Sequence, residues 1–130
     1  MASVFTKIID GDLPGTFVHR DELAVAIMTI NPINTGHVLV IPRVEIDRWT
    51  DLPIEVAHHL VTLAHRIGNA QIRAFGCQRA ALIIAGFEVP HVHLHVIPAD
   101  SLDHVSFENA ARTVDPADLA SAAQRISQHL

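Results

Sequence analysis

The segment EVPHVHLHVIP, residues 88–98, places His91, His93 and His95 at alternate positions, interleaved with Val92, Leu94 and Val96. Strict alternation with apolar residues is the period-two signature of a β-strand, in which successive side chains face opposite sides. The spacing predicts a strand with the three imidazoles on one face and the aliphatic residues on the other. One face is a row of proton carriers and the other suits a core.

Four further strand candidates precede it: GTFVHR (15–20), LAVAIMTI (23–30), HVLVIP (37–42) and RAALIIAGFE (79–88). Asp21 and Glu22 form a hairpin-length break between the first two, and NPINTG (31–36) is a turn punctuated by Pro and Gly. SVFTKIID (3–10) reads as a short helix that stops before Gly11. In IEVAHHLVTLAHRIGNAQIRAF (54–75), Val56, Leu60, Leu63, Ile67 and Ala70 recur at three- and four-residue steps, which predicts a long helix with one core-facing stripe. Thr50 or Asp51 can cap its start and Gly76 can stop it. Asp115, Pro116 and Asp118 predict a C-terminal helix over 116–129. A hairpin-rich run of strands with one long helix inserted is an α+β pattern with a mostly antiparallel sheet. No repeat, low-complexity tract or linker interrupts residues 1–130, so a single domain is expected.

Composition limits what the histidine row can serve. Hydrophobic residues make up 49% and charged residues 18%, which is the balance of a globular chain. The net charge of −5 with no Lys/Arg block argues against binding to nucleic acid or a membrane surface. Cys77 is the single cysteine, so no intrachain disulfide forms and a reducing compartment is the expectation. The N-terminus has no apolar leader pattern, and no uncharged apolar run reaches about 18 residues. A soluble, cytoplasmic protein is expected.

Three readings of the row compete. The imidazoles can lie on the solvent face of an edge strand, although three in phase weigh against that. They can bind metal, since same-face neighbours about 7 Å apart converge on one ion; no second His-x-His motif or thiolate pair completes such a site. Or one imidazole can attack phosphorus and carry a covalent phospho-histidine. That requires one free ring nitrogen, the other nitrogen donating to a fixed acceptor, and donors for the phosphoryl oxygens. Histidine titrates near neutral pH, which suits the role.

The segment HVHLHVIP is similar to His-φ-His-φ-His-φ-φ (φ apolar), the signature of the histidine triad (HIT) family. FTKIIDGDLPGTFVHRDELAVAIMTINPINTGHVLVIPR resembles the N-terminal half of that family, through its KIIDGDLP opening and its NPINTGHVLVIP block. The likeness runs in order through most of residues 4–98. It implies a five-stranded antiparallel sheet with one long helix and a C-terminal helix, a homodimer, and a pocket holding a purine nucleotide at its α-phosphate. The implied activity is hydrolysis or transfer of a nucleotidyl group, as from a nucleoside phosphoramidate. It makes His93 the nucleophile, His95 the third triad histidine at the phosphate, His91 a supporting position, and His37 an additional pocket histidine. Val4, Phe5, Ile8, Leu13 and Ile27 match the apolar purine pocket, and each of them alone reads equally well as ordinary core. His19, His58, His59, His65, His104 and His129 match no functional position, and those on the long helix read as solvated or interface side chains.

The departures from the family pattern concern the phosphate and the ribose. Thr29 stands where an acidic or amide residue usually holds the ribose hydroxyls. Ala80 replaces an Asn or Gln, Phe87 a Gln, and Glu88 a Ser or Thr, while Gly86 is kept. Ionised Glu88 can only accept hydrogen bonds; it either repels phosphate or, desolvated and protonated, acts as acid on the leaving group. Many bacterial relatives hold structural zinc through a Cys-x-x-Cys and a His, where this chain has Ser3, Thr6 and Glu45. No metal or other cofactor is expected. A nucleotide-binding protein with little catalysis is the alternative, and a metal-dependent hydrolase comes third.

Overall fold

The computed structural model describes residues 2–130. The long helix forms where its apolar stripe predicts it: α2 spans Ile54–Phe75 and buries Leu60, Leu63, Ile67 and Ala70. Gly76 ends it in the left-handed conformation at φ +66°, donating its amide to the Ile72 carbonyl. The start differs from expectation. Pro53 occupies the N-cap without a side-chain bond, and Thr50 and Asp51 belong to a separate 3-10 turn, Trp49–Asp51. Asp51 is engaged instead by the Arg48 guanidinium at 2.9 Å.

Before α2 come α1 (Val4–Ile9), β1 (Phe17–Arg20), β2 (Ala24–Met28) and β3 (Val38–Pro42); after it come β4 (Arg79–Ile83), β5 (Leu94–Ala99) and α3 (Pro116–Ser127). Asp115 caps α3 by accepting from the Ala117 amide, with Pro116 inside the first turn as predicted. The five strands form one antiparallel sheet in the order β1-β2-β3-β5-β4. The fold is α+β with the five strands, long helix and C-terminal helix expected. Among the described residues no helix is long and apolar enough to cross a membrane.

Both faces of the sheet are covered, which explains why β2, β3 and β5 are buried throughout. On one face Ala24, Ala26, Val38, Val40, Leu94 and Val96 pack against α2 and α3. On the other, Val25, Ile27, Leu39 and Ile41 gather with Phe5 of α1, and Ile8, Phe17 and Val89 close over them. Burying one such aliphatic side chain contributes about 1.5–3 kcal/mol, so these two clusters fix which way each strand faces. Gly15 lets the chain pass close over α1, since a Cβ there would fall 2.6 Å from Ile8 Cγ2.

Four readings of the sequence are corrected here. The histidine segment is not an edge: β5 lies between β3 and β4, which removes the reading of three imidazoles facing solvent. Only His95 is inside the strand, because β5 begins at Leu94, with His91 and His93 on the chain leading into it. The fourth strand ends at Ile83 rather than residue 88; beyond it Gly86 takes φ +84° and the chain bends through 87–91. Its register pairs Ile83 with His95 and Leu82 with Val96. Ala81 and Ile83 therefore share the histidine face, whereas Ala80 faces α2. Ala80, expected among the phosphate donors' positions, does not lie on the histidine face.

Candidate active site

Cross-strand pairing builds the floor of the site. Phe17, Ile27, Leu39 and His95 are successive partners across β1, β2, β3 and β5, so His95 continues an apolar row on the α1 side. His93 lies two residues earlier and Phe5 of α1 stands edge-on to it, with ring centroids 4.9 Å apart. His93 and His95 are in turn 5.0 Å apart, and Phe107 stands edge-on to His95 at 4.9 Å. The result is a ladder of rings, Phe5–His93–His95–Phe107, with His37 beside His95.

The hydrogen bonds assign every imidazole proton on the ladder. His93 Nδ1 lies 2.7 Å from the His91 carbonyl, which can only accept. Nδ1 therefore carries the proton, and in the neutral ring Nε2 holds a free lone pair. For His95 the assignment starts further off. The Ile33 amide donates to His37 Nδ1 at 3.1 Å, so the neutral His37 ring carries its proton on Nε2. That Nε2 lies 2.9 Å from His95 Nδ1, and it donates there. His95 in consequence bears its proton on Nε2. Two neighbouring rings thus present opposite functions, a lone pair on His93 and an N–H on His95.

Electrostatics keep these rings neutral. Burial pushes His93 below the ordinary imidazole value and the neighbouring His91 adds to this, while the bond to the His91 carbonyl and the charge of Glu88 pull partly back. Burial and the neighbouring His93 bring His95 down to about 4; burial and His95 bring His37 down to about 3. Taking a cation out of water in such a place is costly, and the proton leaves instead.

His91 is fully buried and its ring reaches no open space. Nε2 lies 2.7 Å from the Pro42 carbonyl and Nδ1 2.6 Å from Ser3 Oγ, so both nitrogens are occupied. Its contribution is its carbonyl, which fixes His93. Of the expected pocket residues, Phe5 touches the histidines, Ile8 and Ile27 belong to the apolar cluster beneath, and Val4 and Leu13 remain exposed. Thr29 is half-buried beside His37, whose carbonyl accepts its amide; Thr29 Oγ1 accepts from the Asn31 amide, leaving its hydroxyl hydrogen to donate. Phe87 points wholly into solvent. Glu88 is exposed, and among the described residues it forms no hydrogen bond or ion pair. The desolvation expected of a leaving-group acid is therefore missing, as is the Arg partner of an ordinary surface carboxylate. Phe107 and Val89 escaped the sequence reading. Val89 lies in a bend and Phe107 opens a short 3-10 turn, Phe107–Asn109, where apolar residues follow no period, and no signal in the sequence marks them.

The donors at the position of the family's zinc do not fit a zinc ion. Ser3 and Thr6 offer hydroxyls where zinc takes thiolates, and each hydroxyl is already committed: Ser3 Oγ to His91, Thr6 Oγ1 to Glu45 Oε1 at 2.7 Å. Glu45 Oε1 also accepts from the Ser3 amide at 2.6 Å.

The model of the HIT domain matches residues 10–102. A HIT-like protein of Methanocaldococcus jannaschii is 32% identical over 100 residues, covering 73% of this chain and 77% of its own length. An adenylylsulfatase of Arabidopsis thaliana is 30% identical over 105 residues, or 77% of this chain and 53% of that protein. A zinc-bound histidine triad family protein from Mycobacterium smegmatis superposes with a TM-score of 0.84 at 28% identity, covering 99% of this chain and 93% of that one. With the matched domain, the triad segment and the sheet order in agreement, this chain belongs to the HIT domain family.

Proposed function

We propose that the protein hydrolyses or transfers the nucleotidyl group of a purine nucleoside phosphoramidate or related nucleotide, with no cofactor. The observation that carries this reading is the pair of opposed tautomers, His93 with a bare Nε2 and His95 with a proton on Nε2. His93 Nε2 attacks the α-phosphorus; the bond to the leaving amine breaks as the P–N bond to His93 forms, and the amine takes its proton from water. His95 Nε2–H donates to a non-bridging oxygen, on which charge builds in the transition state. Water then attacks phosphorus, the P–Nε2 bond breaks, a proton returns to solvent, and the nucleoside monophosphate leaves. The purine lies against Phe5 and Ile8, rimmed by Val4 and Leu13, and Thr29 donates to a ribose hydroxyl.

Charge favours an amine over a polyphosphate as leaving group. None of the hydrogen bonds or ring contacts of the four histidines involves Lys or Arg among the described residues, while the Glu88 carboxylate is felt at His93. The adenylylsulfatase relative supports cleavage next to a nucleotide phosphorus.

The test is intact-mass spectrometry of protein quenched during turnover of adenosine 5′-phosphoramidate in EDTA. A nucleotidyl adduct that maps to His93 and vanishes in His93→Ala is expected; turnover by a folded His93→Ala protein would falsify the mechanism. The alternative, binding without turnover, is favoured by the lack of a leaving-group acid, since Glu88 is exposed, and predicts nucleotide binding with no adduct. We further propose a homodimer, cytoplasmic and free of nucleic-acid or membrane partners, paired through edge strand β4. There Leu82 joins Val61 and Ile72 of α2 around a groove of about 260 Å³. Light scattering should give the mass of two chains, and the mass of one would remove this reading.

A further inference from the structure

Four side-chain atoms at the N-terminus of α1 close a ring. Ser3 Oγ lies 2.6 Å from His91 Nδ1 and 3.4 Å from Thr6 Oγ1; Thr6 Oγ1 lies 2.7 Å from Glu45 Oε1; and Glu45 Oε1 lies 4.0 Å from His91 Nδ1. These residues come from three separate parts of the chain, and the Val92 amide, donating to the Ile46 carbonyl at 2.8 Å, ties two of those parts together beside the ring. Ser3 Oγ also caps α1 by accepting from the Thr6 amide at 3.1 Å, and the Ser3 amide donates to Glu45. One carboxylate oxygen therefore accepts two donors from α1, and the serine it holds passes a hydroxyl hydrogen to a buried imidazole. The far side of that imidazole is tied to the Pro42 carbonyl, at the end of β3.

We propose that Ser3, Thr6 and Glu45 are positioning residues, forming a hydrogen-bonded clasp that works without metal and acts on catalysis through His91. The inference rests on the reading of His93 as nucleophile. Two consequences leave the clasp. The first runs through the backbone: with both ring nitrogens held, His91 cannot turn, and its carbonyl keeps the proton of His93 on Nδ1. The second runs through α1: Val4, Phe5 and Ile8 line the proposed purine pocket, and the clasp holds the helix that carries them against the histidines. The bonds are short and mostly sheltered, and Glu45 is held well below the carboxylate range, down to about 2, first by the Ser3 amide and then by the Thr6 hydroxyl.

The geometry separates acceptance from charge. Glu45→Gln keeps an acceptor oxygen at the same place and should retain most of the turnover. Glu45→Ala removes the acceptor, and Ser3→Ala cuts the bond to His91. In both, kcat should fall by roughly 10- to 100-fold, the scale of a misplaced reacting group. KM should rise for Glu45→Ala, which frees α1. Hydrogen exchange of the α1 amides, read in the same proteins without substrate, should rise in Glu45→Ala and stay low in Glu45→Gln. That readout does not depend on His93 being the nucleophile, so it separates a failed clasp from a failed mechanism.

A replacement experiment tests whether the clasp does a metal's work. Ser3→Cys, Thr6→Cys and Glu45→His combined would set two thiolates and two imidazoles around one point, the tetrahedral set that zinc takes. That variant should bind one zinc per chain and recover the kcat lost in Ser3→Ala. Wild-type kcat and α1 exchange in both Ser3→Ala and Glu45→Ala would overturn the proposal. So would a zinc-loaded triple variant with protected α1 and the low kcat of Ser3→Ala.

Discussion

Two clusters of imidazoles sit on this small domain, and they use histidine in opposite ways. At the site His37, His93 and His95 are buried and lean on a carbonyl, an amide and one another, and burial drives the proton off against only the charge of Glu88 near His93. At the other end of the sheet, His19 of β1 and His59 of α2 both direct Nε2 at one oxygen of Asp21, at 2.8 and 2.7 Å, and all three remain partly exposed. The second oxygen of Asp21 accepts the amides of Leu23 and Ala24 at 2.8 Å. These four hydrogen bonds hold the Asp21 carboxyl far below its usual range despite some burial. A carboxylate partner turns a histidine pair into a brace between the β1–β2 turn and α2. A carbonyl partner, which takes one proton and offers no charge, leaves a reactive lone pair on the other nitrogen. The partner, more than the histidine, decides the role.

The largest effect that separates the clusters should come from His37. His37→Phe keeps the ring volume but takes the donor from His95 Nδ1, so His95 is free to carry its proton on the wrong nitrogen. We expect kcat to fall by about 10²–10³, as when one oxyanion donor is removed, with His37→Gln recovering part of it because an amide can both accept from Ile33 and donate to His95. An unchanged kcat in His37→Phe would show that the relay does not set the tautomer.

A smaller effect of a different kind should follow at the brace. Asp21→Ala loses a turn cap and two side-chain bonds, and should cost about 1–2 kcal/mol in urea unfolding with kcat and KM unaltered. A loss of activity without a loss of stability would mean that the two clusters are coupled and the comparison is drawn in the wrong place.

How much of this was legible in the sequence follows the same division. Period and punctuation carried far: the stripe from Val56 to Ala70 with Gly76 behind it bounded α2, and Asp115-Pro116 marked the start of α3. His37, His93 and His95 were named from their motifs and meet in space. Long-range pairing was out of reach. Nothing local says that Ser3 meets His91 across 88 residues, or that His59, half-buried on α2, reaches Asp21. Ala80 was placed at the phosphate by matching the family's loop, and a match along the chain does not say which face of β4 a residue takes; the pairing of Leu82 with Val96 decides it. The strand expected to reach residue 88 stops at Ile83 because Gly86 turns the chain. Thr50 and Asp51 lost the cap to Pro53 when Trp49–Asp51 folded into its own turn.

The most direct test of the central claim is a ¹⁵N NMR titration of the histidine ring nitrogens. At pH 7 the account predicts a neutral His93 protonated on Nδ1, and neutral His37 and His95 protonated on Nε2. His95 and His37 should take up protons only as pH falls toward about 4 and about 3, and His93 below the ordinary value near 6.5. The unfolded chain binds these protons already near 6.5, so stability from the buried rings is complete above that pH and is lost as pH falls through the folded values. The acid limb of kcat/KM should lie below 6.5 for the same reason. A His93 ring that is protonated on Nε2 at pH 7, or charged on both nitrogens there, would contradict the account, because no lone pair would then face the phosphorus.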